Sequence, residues 1–226
     1  MALIAPSLLA ADFARLGEAL QTIQAAGATM VHVDVMDGHF APDITVGQPV
    51  LKSLRKATDL VLEVHLLVER PERYAAEFID LGADRVAVHA EATPQLHRAV
   101  EEVRARGAKV GAALNPATPL EAIGGVLDSL DFVTLLTADA GLEERPFVAS
   151  SVARLRAAAD LRASRRLDFA LEVEGGVGLE NLEELVRAGA DILVAGSSIF
   201  KKSGDPRARL EEMVRRAATA RVSSTA

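Results

Sequence analysis

Four side chains in three apolar segments could converge on one cation. His32 and Asp34 sit in "VHVDVMDGHF" (31–40), His65 in "LEVHLLV" (62–68) and Glu174 in "FALEVEGGVG" (169–178). Each segment reads as a strand, and a strand alternates its faces with period two. His32, Asp34 and Met36 therefore share one face, while Val31, Val33 and Val35 share the other. Glu63, His65 and Leu67 line up in the same way, as do Glu172 and Glu174, and a fourth apolar run ends on His89. Buried charges without partners are costly, so several that point one way need a common partner. A divalent metal would satisfy His32, Asp34, His65 and Glu174 together; hydrogen bonding within the core is the competing explanation. Two imidazoles with two carboxylates suit Zn²⁺, Fe²⁺, Mn²⁺ or Co²⁺ without choosing among them.

A second kind of chemistry is suggested by "VEGGVG" (173–178) and "VAGSSIF" (194–200). Glycines let the backbone approach a ligand closely, and successive N–H groups form a nest for an anion. Gly175 and Gly176 would make one wall of a phosphate site, Gly196 and Ser197 the other. The alternative is that both are tight turns in which Gly only supplies positive φ.

The elements that must position these groups follow from a weak repeat. "AGATMVHVD" (26–34), "LGADRVAVH" (81–89), "AGADILVAG" (188–196) and, more loosely, "RGAKVGAAL" (106–114) each read as a helix end, a left-handed glycine and a new strand. Strands are expected at 3–5, 30–35, 61–66, 85–89, 109–114, 132–136, 169–173 and 192–195. Helices are expected at 12–25, 48–56, 71–80, 95–106, 119–127, 147–162, 179–188 and 206–219. Eight β-then-α units in 226 residues predict an α/β fold, a TIM (β/α)8 barrel, with a doubly wound open sheet as the alternative. Residues 1–220 would form a single domain, and the end of "ATARVSSTA", 221–226, a frayed tail. In a barrel the valines of the second strand face the helices, so His32 and Asp34 look inward near the C-terminal mouth.

Composition limits the partners. Half of the residues are hydrophobic and 4% aromatic, enough for an aliphatic core. There is no cysteine, which excludes disulfides and thiolate ligands and agrees with a reducing, cytoplasmic setting. No apolar run reaches about 18 residues, so no membrane span is expected. A net charge of −7 argues against nucleic acid, yet a phosphorylated small molecule can still be held by local backbone N–H groups.

With these residues placed, the chain resembles the ribulose-phosphate 3-epimerase family from "IAPSLLAADF" (4–13) to "AGSSIF" (195–200). "HVDVMDGHFAPDITVG" (32–47) is the most specific match; "VHLLVERPERY" (64–74), "ALNPATP" (113–119) and "AGADILVAGSSIF" (188–200) also match. The resemblance implies a TIM barrel holding one divalent metal per subunit through His32, Asp34, His65 and Glu174. It implies interconversion of D-ribulose 5-phosphate and D-xylulose 5-phosphate through an enediolate, with Asp34 and Glu174 as acid and base on opposite faces of C3. Ser7 and His65 would touch substrate, Met36 would line the site, and Gly196 and Ser197 would contact phosphate. A homo-oligomer is implied as well.

Three departures from the family's pattern bear on the substrate. Glu174 stands where the family usually has Asp, one C–C bond longer, roughly 1.5 Å. In "LLTADAGLEERPF" (135–147), Leu136 replaces a methionine and Ala140 a proline; Gly141 is kept, and Glu143 and Glu144 replace paired glycines that help enclose the substrate, with Arg145 beside them. Leu67 replaces another methionine at similar volume. The alternatives to the leading substrate are therefore a sister epimerase acting on allulose 6-phosphate or a tetrulose phosphate, and a weakly catalytic sugar-phosphate binder. A metal hydrolase on the same barrel fits less well, because nothing marks a second metal.

Overall fold

Alternation of apolar, β-branched runs with amphipathic ones produces eight strands with helical segments between them. The computed structural model describes residues 2–141, 146–201 and 203–222, the side chains of 221 and 222 excepted. The strands are β1 (Leu3–Pro6), β2 (Met30–Met36), β3 (Val61–Leu67), β4 (Arg85–His89), β5 (Lys109–Leu114), β6 (Phe132–Leu136), β7 (Ala170–Glu174) and β8 (Ile192–Ala195). All pair in parallel in the order β1-β8-β7-β6-β5-β4-β3-β2. A parallel bridge between Ser7 and His32 joins the two ends of that order, so the sheet is a nearly closed barrel and not an open one.

The α-helices are α1 (Leu16–Ala25), α2 (Gln48–Ala57), α3 (Ala75–Asp80), α4 (Leu96–Ala105), α5 (Ser151–Arg165), α6 (Leu182–Arg187), α7 (Ser197–Phe200) and α8 (Pro206–Val222). They cover the outside, where the outward residues of the strands join one large apolar core. Val31, Val33, Val64, Val86 and Leu171 belong to it, with Leu20, Leu51, Val100 and Leu155 from the helices. The inward faces carry the polar groups, and His32, Glu63, His65, His89, Thr134 and Glu172 are fully buried.

The repeat has a structural purpose beyond turning the chain. Its aspartates lie just before even-numbered strands and bond back to the preceding strand. Asp84 Oδ2 accepts from the N–H of Leu62 (2.8 Å), and Asp191 Oδ2 from that of Leu171 (2.9 Å). Asp131 does the same for Val110 (2.9 Å). Each fixes the register of one strand against its neighbour, which matters because a one-residue slip would turn every inward group outward.

Several expectations need correction: 12–25 opens with a 3-10 turn, Phe13–Arg15, before α1; 71–80 splits into a 3-10 turn, Pro71–Arg73, and α3; and α6 begins at Leu182, not 179. The segment 119–127 is not an α-helix; it makes two 3-10 turns, Leu120–Ile123 and Leu127–Ser129, because Gly124 and Gly125 interrupt it. α5 begins at Ser151, not 147. β7 is displaced by one residue, which places Glu174 at its C-terminal end. α8 continues to Val222, past the expected end at 219 and into the segment expected to fray; 223–226 lie outside the described residues.

Candidate active site

β2, β3 and β7 bring their inward side chains to one point at the C-terminal mouth of the barrel. Two residues hold the end of β2 open for this. The Thr45 hydroxyl donates to the carbonyl of Asp34 (2.6 Å) and accepts from the N–H of Met36 (3.0 Å). Asp37 then organises the loops beyond: its carboxylate accepts from the N–H groups of His39 (2.9 Å), Phe40 (3.0 Å) and Glu69 (2.8 Å). Those three bonds hold it below the usual carboxylate range against the opposing effect of burial. At β7, the N–H of Thr137 donates to the carbonyl of Glu174 (2.7 Å).

The four expected ligands meet. His32 Nε2 lies 3.2 Å from Asp34 Oδ1 and 3.4 Å from Glu174 Oε2. His65 Nδ1 lies 3.4 Å from Asp34 Oδ1 and 2.9 Å from Glu174 Oε2. One donor atom from each residue falls within 4.8 Å of all the others. The longer arm of Glu174 is thus accommodated.

Burial disfavours charge on all four groups, and their mutual attraction outweighs it. Asp34 and Glu174 hold the His32 imidazolium well above its ordinary range. Glu174 and Asp34 raise His65 to about 9. The imidazoles in turn hold Asp34 well below the carboxylate range and lower Glu174. The cluster demands positive charge. With protons as its only source the imidazoles supply it; beside a bound cation they are neutral ligands.

The residues fit such a cation. His65 Nδ1 and Glu174 Oε2 face each other at 2.9 Å but out of line for a hydrogen bond, and both are buried without any other hydrogen-bond partner. Two buried atoms left unpaired side by side are rare in a folded chain and call for a shared third party. The far nitrogens of both rings are already engaged: His32 Nδ1 meets Glu63 Oε1 (2.9 Å), and His65 Nε2 meets His89 Nε2 (3.0 Å). His89 Nδ1 reaches Glu91 Oε2 (3.0 Å), and Glu91 Oε1 accepts from the N–H of Asn115 (2.7 Å). Supports of this kind fix ring orientation and leave one nitrogen free for a metal.

Above the cluster opens a cavity of about 810 Å³, solvent at its mouth included. Ser7, Asp34, Met36 and Glu174 form its floor side, and Gly141, Gly175, Gly176, Gly196 and Ser197 form part of its wall. Gly175 has a φ of 110° and a Cβ there would come 2.8 Å from the amide nitrogen of Ala138, so only glycine fits. Ser197 begins the short α7 directly after β8. His65 is fully buried and is not among the residues that line the cavity. Leu136 and Ala140 do line the cavity, and Leu67 packs with Met36 and Ala41 just behind it. Glu143, Glu144 and Arg145 lie outside the described residues.

Ser7 lines the cavity and also supports Asp34. Its hydroxyl donates to Asp34 Oδ2 at 2.6 Å while accepting from the N–H of Leu9 (3.2 Å). A hydrogen bond to a carboxylate contributes about 1.5–3 kcal/mol, so with Asp34 as an acid–base group S7A should lower kcat by about 10–100-fold with metal content little changed. Steady-state kinetics beside metal analysis checks this, and an unaltered kcat would make the bond idle.

Sequence reasoning passed over several groups. Arg85 shares its face with His89 by period two, and that parity was the available signal. Lys201, one residue past "AGSSIF", and Asp139 also line the cavity. The support from His89 and Glu91 was visible only as a strand ending in His, since nothing local says that two imidazoles meet across β3 and β4.

The comparisons with known proteins agree with this geometry. Residues 3–200 match the model of the ribulose-phosphate 3 epimerase family. Ribulose-phosphate 3-epimerase of Bacillus subtilis is 42% identical over 201 residues, covering 88% of this chain and 93% of that protein. The chloroplastic ribulose-5-phosphate-3-epimerase of Arabidopsis thaliana is 43% identical over 200 residues, covering 88% and 71%. Among solved structures, KGPDC of Streptococcus mutans superposes with a TM-score of 0.71 at 14% identity, over 97% of this chain and 99% of that one. The tryptophan synthase α-subunit of Pyrococcus furiosus gives 0.66 at 20% identity, over 96% and 98%. At such identities these two speak for the barrel alone.

Proposed function

The chain belongs to the ribulose-phosphate 3-epimerase family, and from that membership we propose its reaction: reversible inversion of C3 between D-ribulose 5-phosphate and D-xylulose 5-phosphate. The observation that carries it is the convergence of Asp34 and Glu174, from β2 and β7, at the floor of an open cavity.

Inversion of C3 requires removal of its proton, which is acidified by the neighbouring C2 ketone, and return of a proton to the other face. That calls for two acid–base groups facing one carbon from opposite sides. We assign them to Asp34 and Glu174. His32, Asp34, His65 and Glu174 would hold one divalent ion, Zn²⁺, Fe²⁺, Mn²⁺ or Co²⁺. When bound, it supplies Lewis-acid stabilisation of the negative charge that deprotonation puts on the ketone oxygen. Ser7 orients Asp34 by donating to Oδ2, leaving Oδ1 toward the cluster. Met36 gives the floor an apolar, polarisable edge. The phosphate is assigned to the wall built by Gly141, Gly175, Gly176, Gly196 and Ser197, where backbone can approach without side chains in the way. Because both carboxylates share one centre, their protons are lost from the pair rather than from either residue alone.

No helix among the described residues is long and apolar enough to cross a membrane. A cytoplasmic setting is the expectation drawn from the absence of cysteine, and a homo-oligomeric assembly the one implied by the family resemblance.

The test is deuterium uptake at C3 from heavy water, run on a panel of four- to six-carbon ketose phosphates. Fastest exchange with ribulose 5-phosphate is expected. Preference for a hexulose or tetrulose phosphate would move the substrate, a question sharpened by Leu136 and Ala140 on the cavity wall. Saturable binding without exchange for every sugar would remove the catalytic reading.

A further inference from the structure

One layer below the four-residue cluster lies a second group of acids that the proposed mechanism does not use. Glu63 and Glu172 are both fully buried inside the barrel. Glu63 Oε1 lies 2.9 Å from His32 Nδ1. Donor atoms of His32, Glu63 and Glu172 come within 4.8 Å of one another, near enough to hold an ion of their own. Two buried acids require compensation, since leaving a charge unpaired in the interior is strongly destabilising; burial beside Glu63 pushes Glu172 up toward its neutral form, which leaves the charge of Glu63 to be balanced.

The chain provides that compensation itself. Arg85, the first residue of β4, turns into the same space with only 15% of its side chain exposed. Its Nε donates to Glu63 Oε2, and its Nη2 stands 3.7 Å from Glu172 Oε2. Thr134 donates to the other oxygen of Glu172 at 2.8 Å. The guanidinium carbon lies 3.9 Å from the centroid of the Phe132 ring, a cation–π arrangement. Phe132 is itself fully buried, and a Cβ on Gly111 would collide with its ring, so β5 gives up a side chain to seat it. The guanidinium is thus held by a hydrogen bond to Glu63 and an aromatic face, and it faces Glu172 as an ion pair without a hydrogen bond.

We propose that Arg85 is a positioning residue for the metal centre: it occupies the lower acid cluster as a fixed internal cation and holds Glu63 against His32 Nδ1, so that His32 presents Nε2 upward. A carboxylate on Nδ1 keeps the proton there and leaves the Nε2 lone pair free. Two consequences follow. The chain takes one divalent ion, not two, because the lower cluster is already filled. Its affinity for that ion depends on Arg85, which touches none of the four ligands through a hydrogen bond of its own. The inference rests on the proposed reading that His32, Asp34, His65 and Glu174 hold a metal.

The experiment uses Co²⁺ as probe, titrated into the chelator-treated full-length chain, with its visible absorption bands and competition against an indicator chelator as readouts. Wild type should take up one equivalent. R85M should bind Co²⁺ more weakly by about 10–100-fold, the usual effect of losing such a support, with shifted bands; R85K, which keeps the charge, should recover part of the loss. Should R85M fail to fold, R85M/E172Q removes one acid along with the cation, and its affinity should fall by a similar factor below that of E172Q. Wild-type affinity and bands in R85M, equal affinities for R85M/E172Q and E172Q, or two equivalents bound by wild type would overturn the proposal. Absence of Co²⁺ binding by wild type would instead remove the metal reading beneath it.

Discussion

Glu174→Gln ends epimerisation and leaves proton exchange with only one of the two epimers. Gln keeps the length of the arm and an oxygen that can face the cluster, but it can neither take nor give a proton. The loss expected from removing one acid–base group is about 10²–10⁴-fold. The two-carboxylate arrangement makes the result more specific than a simple loss of rate. With Asp34 intact, the epimer whose C3 proton faces Asp34 can still lose it to heavy water and regain deuterium on the same face. The other epimer is inert, and neither inverts. Mass spectrometry of both recovered sugars reads this directly. Exchange of both epimers in E174Q, or inversion within a few fold of wild type, would show that Glu174 is not the second base. Glu174→Asp is the companion variant: it withdraws the carboxyl by roughly 1.5 Å from positions 2.9 Å from His65 Nδ1 and 3.4 Å from His32 Nε2. Ion affinity should fall first, since the shorter arm still carries a proton.

Stripping the chain with a chelator is the second large effect. If stabilising the charge on the ketone oxygen contributes several kcal/mol, turnover should fall by at least about 10³-fold at 1.36 kcal/mol per decade, and return with added Zn²⁺, Fe²⁺, Mn²⁺ or Co²⁺ to an extent that ranks the ions. Stability should fall as well. An ion present at about a hundred times its Kd contributes about 2.7 kcal/mol, and the stripped cluster must satisfy its acids with protons on His32 and His65. Calorimetry with and without ion measures that difference. Full turnover in protein shown by elemental analysis to be metal-free would refute the assignment, as would a melting temperature indifferent to every ion.

Much of this was legible in the sequence because the barrel separates its faces by parity. In β2 the valines alternate without exception with Met30, His32, Asp34 and Met36, so the inward set could be read before any coordinates. The repeat marked the joints, and β4, β5 and β8, which follow three of them, begin and end at the expected residues. What could not be read was across-strand company. His65 and His89 meet at 3.0 Å because β3 and β4 pair with a particular stagger, His65 opposite Ala87. Arg85 carried only its parity with His89, and the closed ring is what brings its guanidinium against Phe132. The segment 119–127 misled because its apolar spacing fits a helix while Gly124 and Gly125 do not sustain one.

The bridge between Ser7 and His32 carries a further consequence. Every other neighbouring pair of strands is laced by several rungs, whereas here the hoop is fastened by one clasp, and the clasp is made of the same two residues that steady Asp34. Ser7 is anchored on its other side as well, where its N–H donates to the carbonyl of Ala195 (2.9 Å). The seam of the hoop with the fewest rungs is thus built from residues that also support the carboxylate on its inner face.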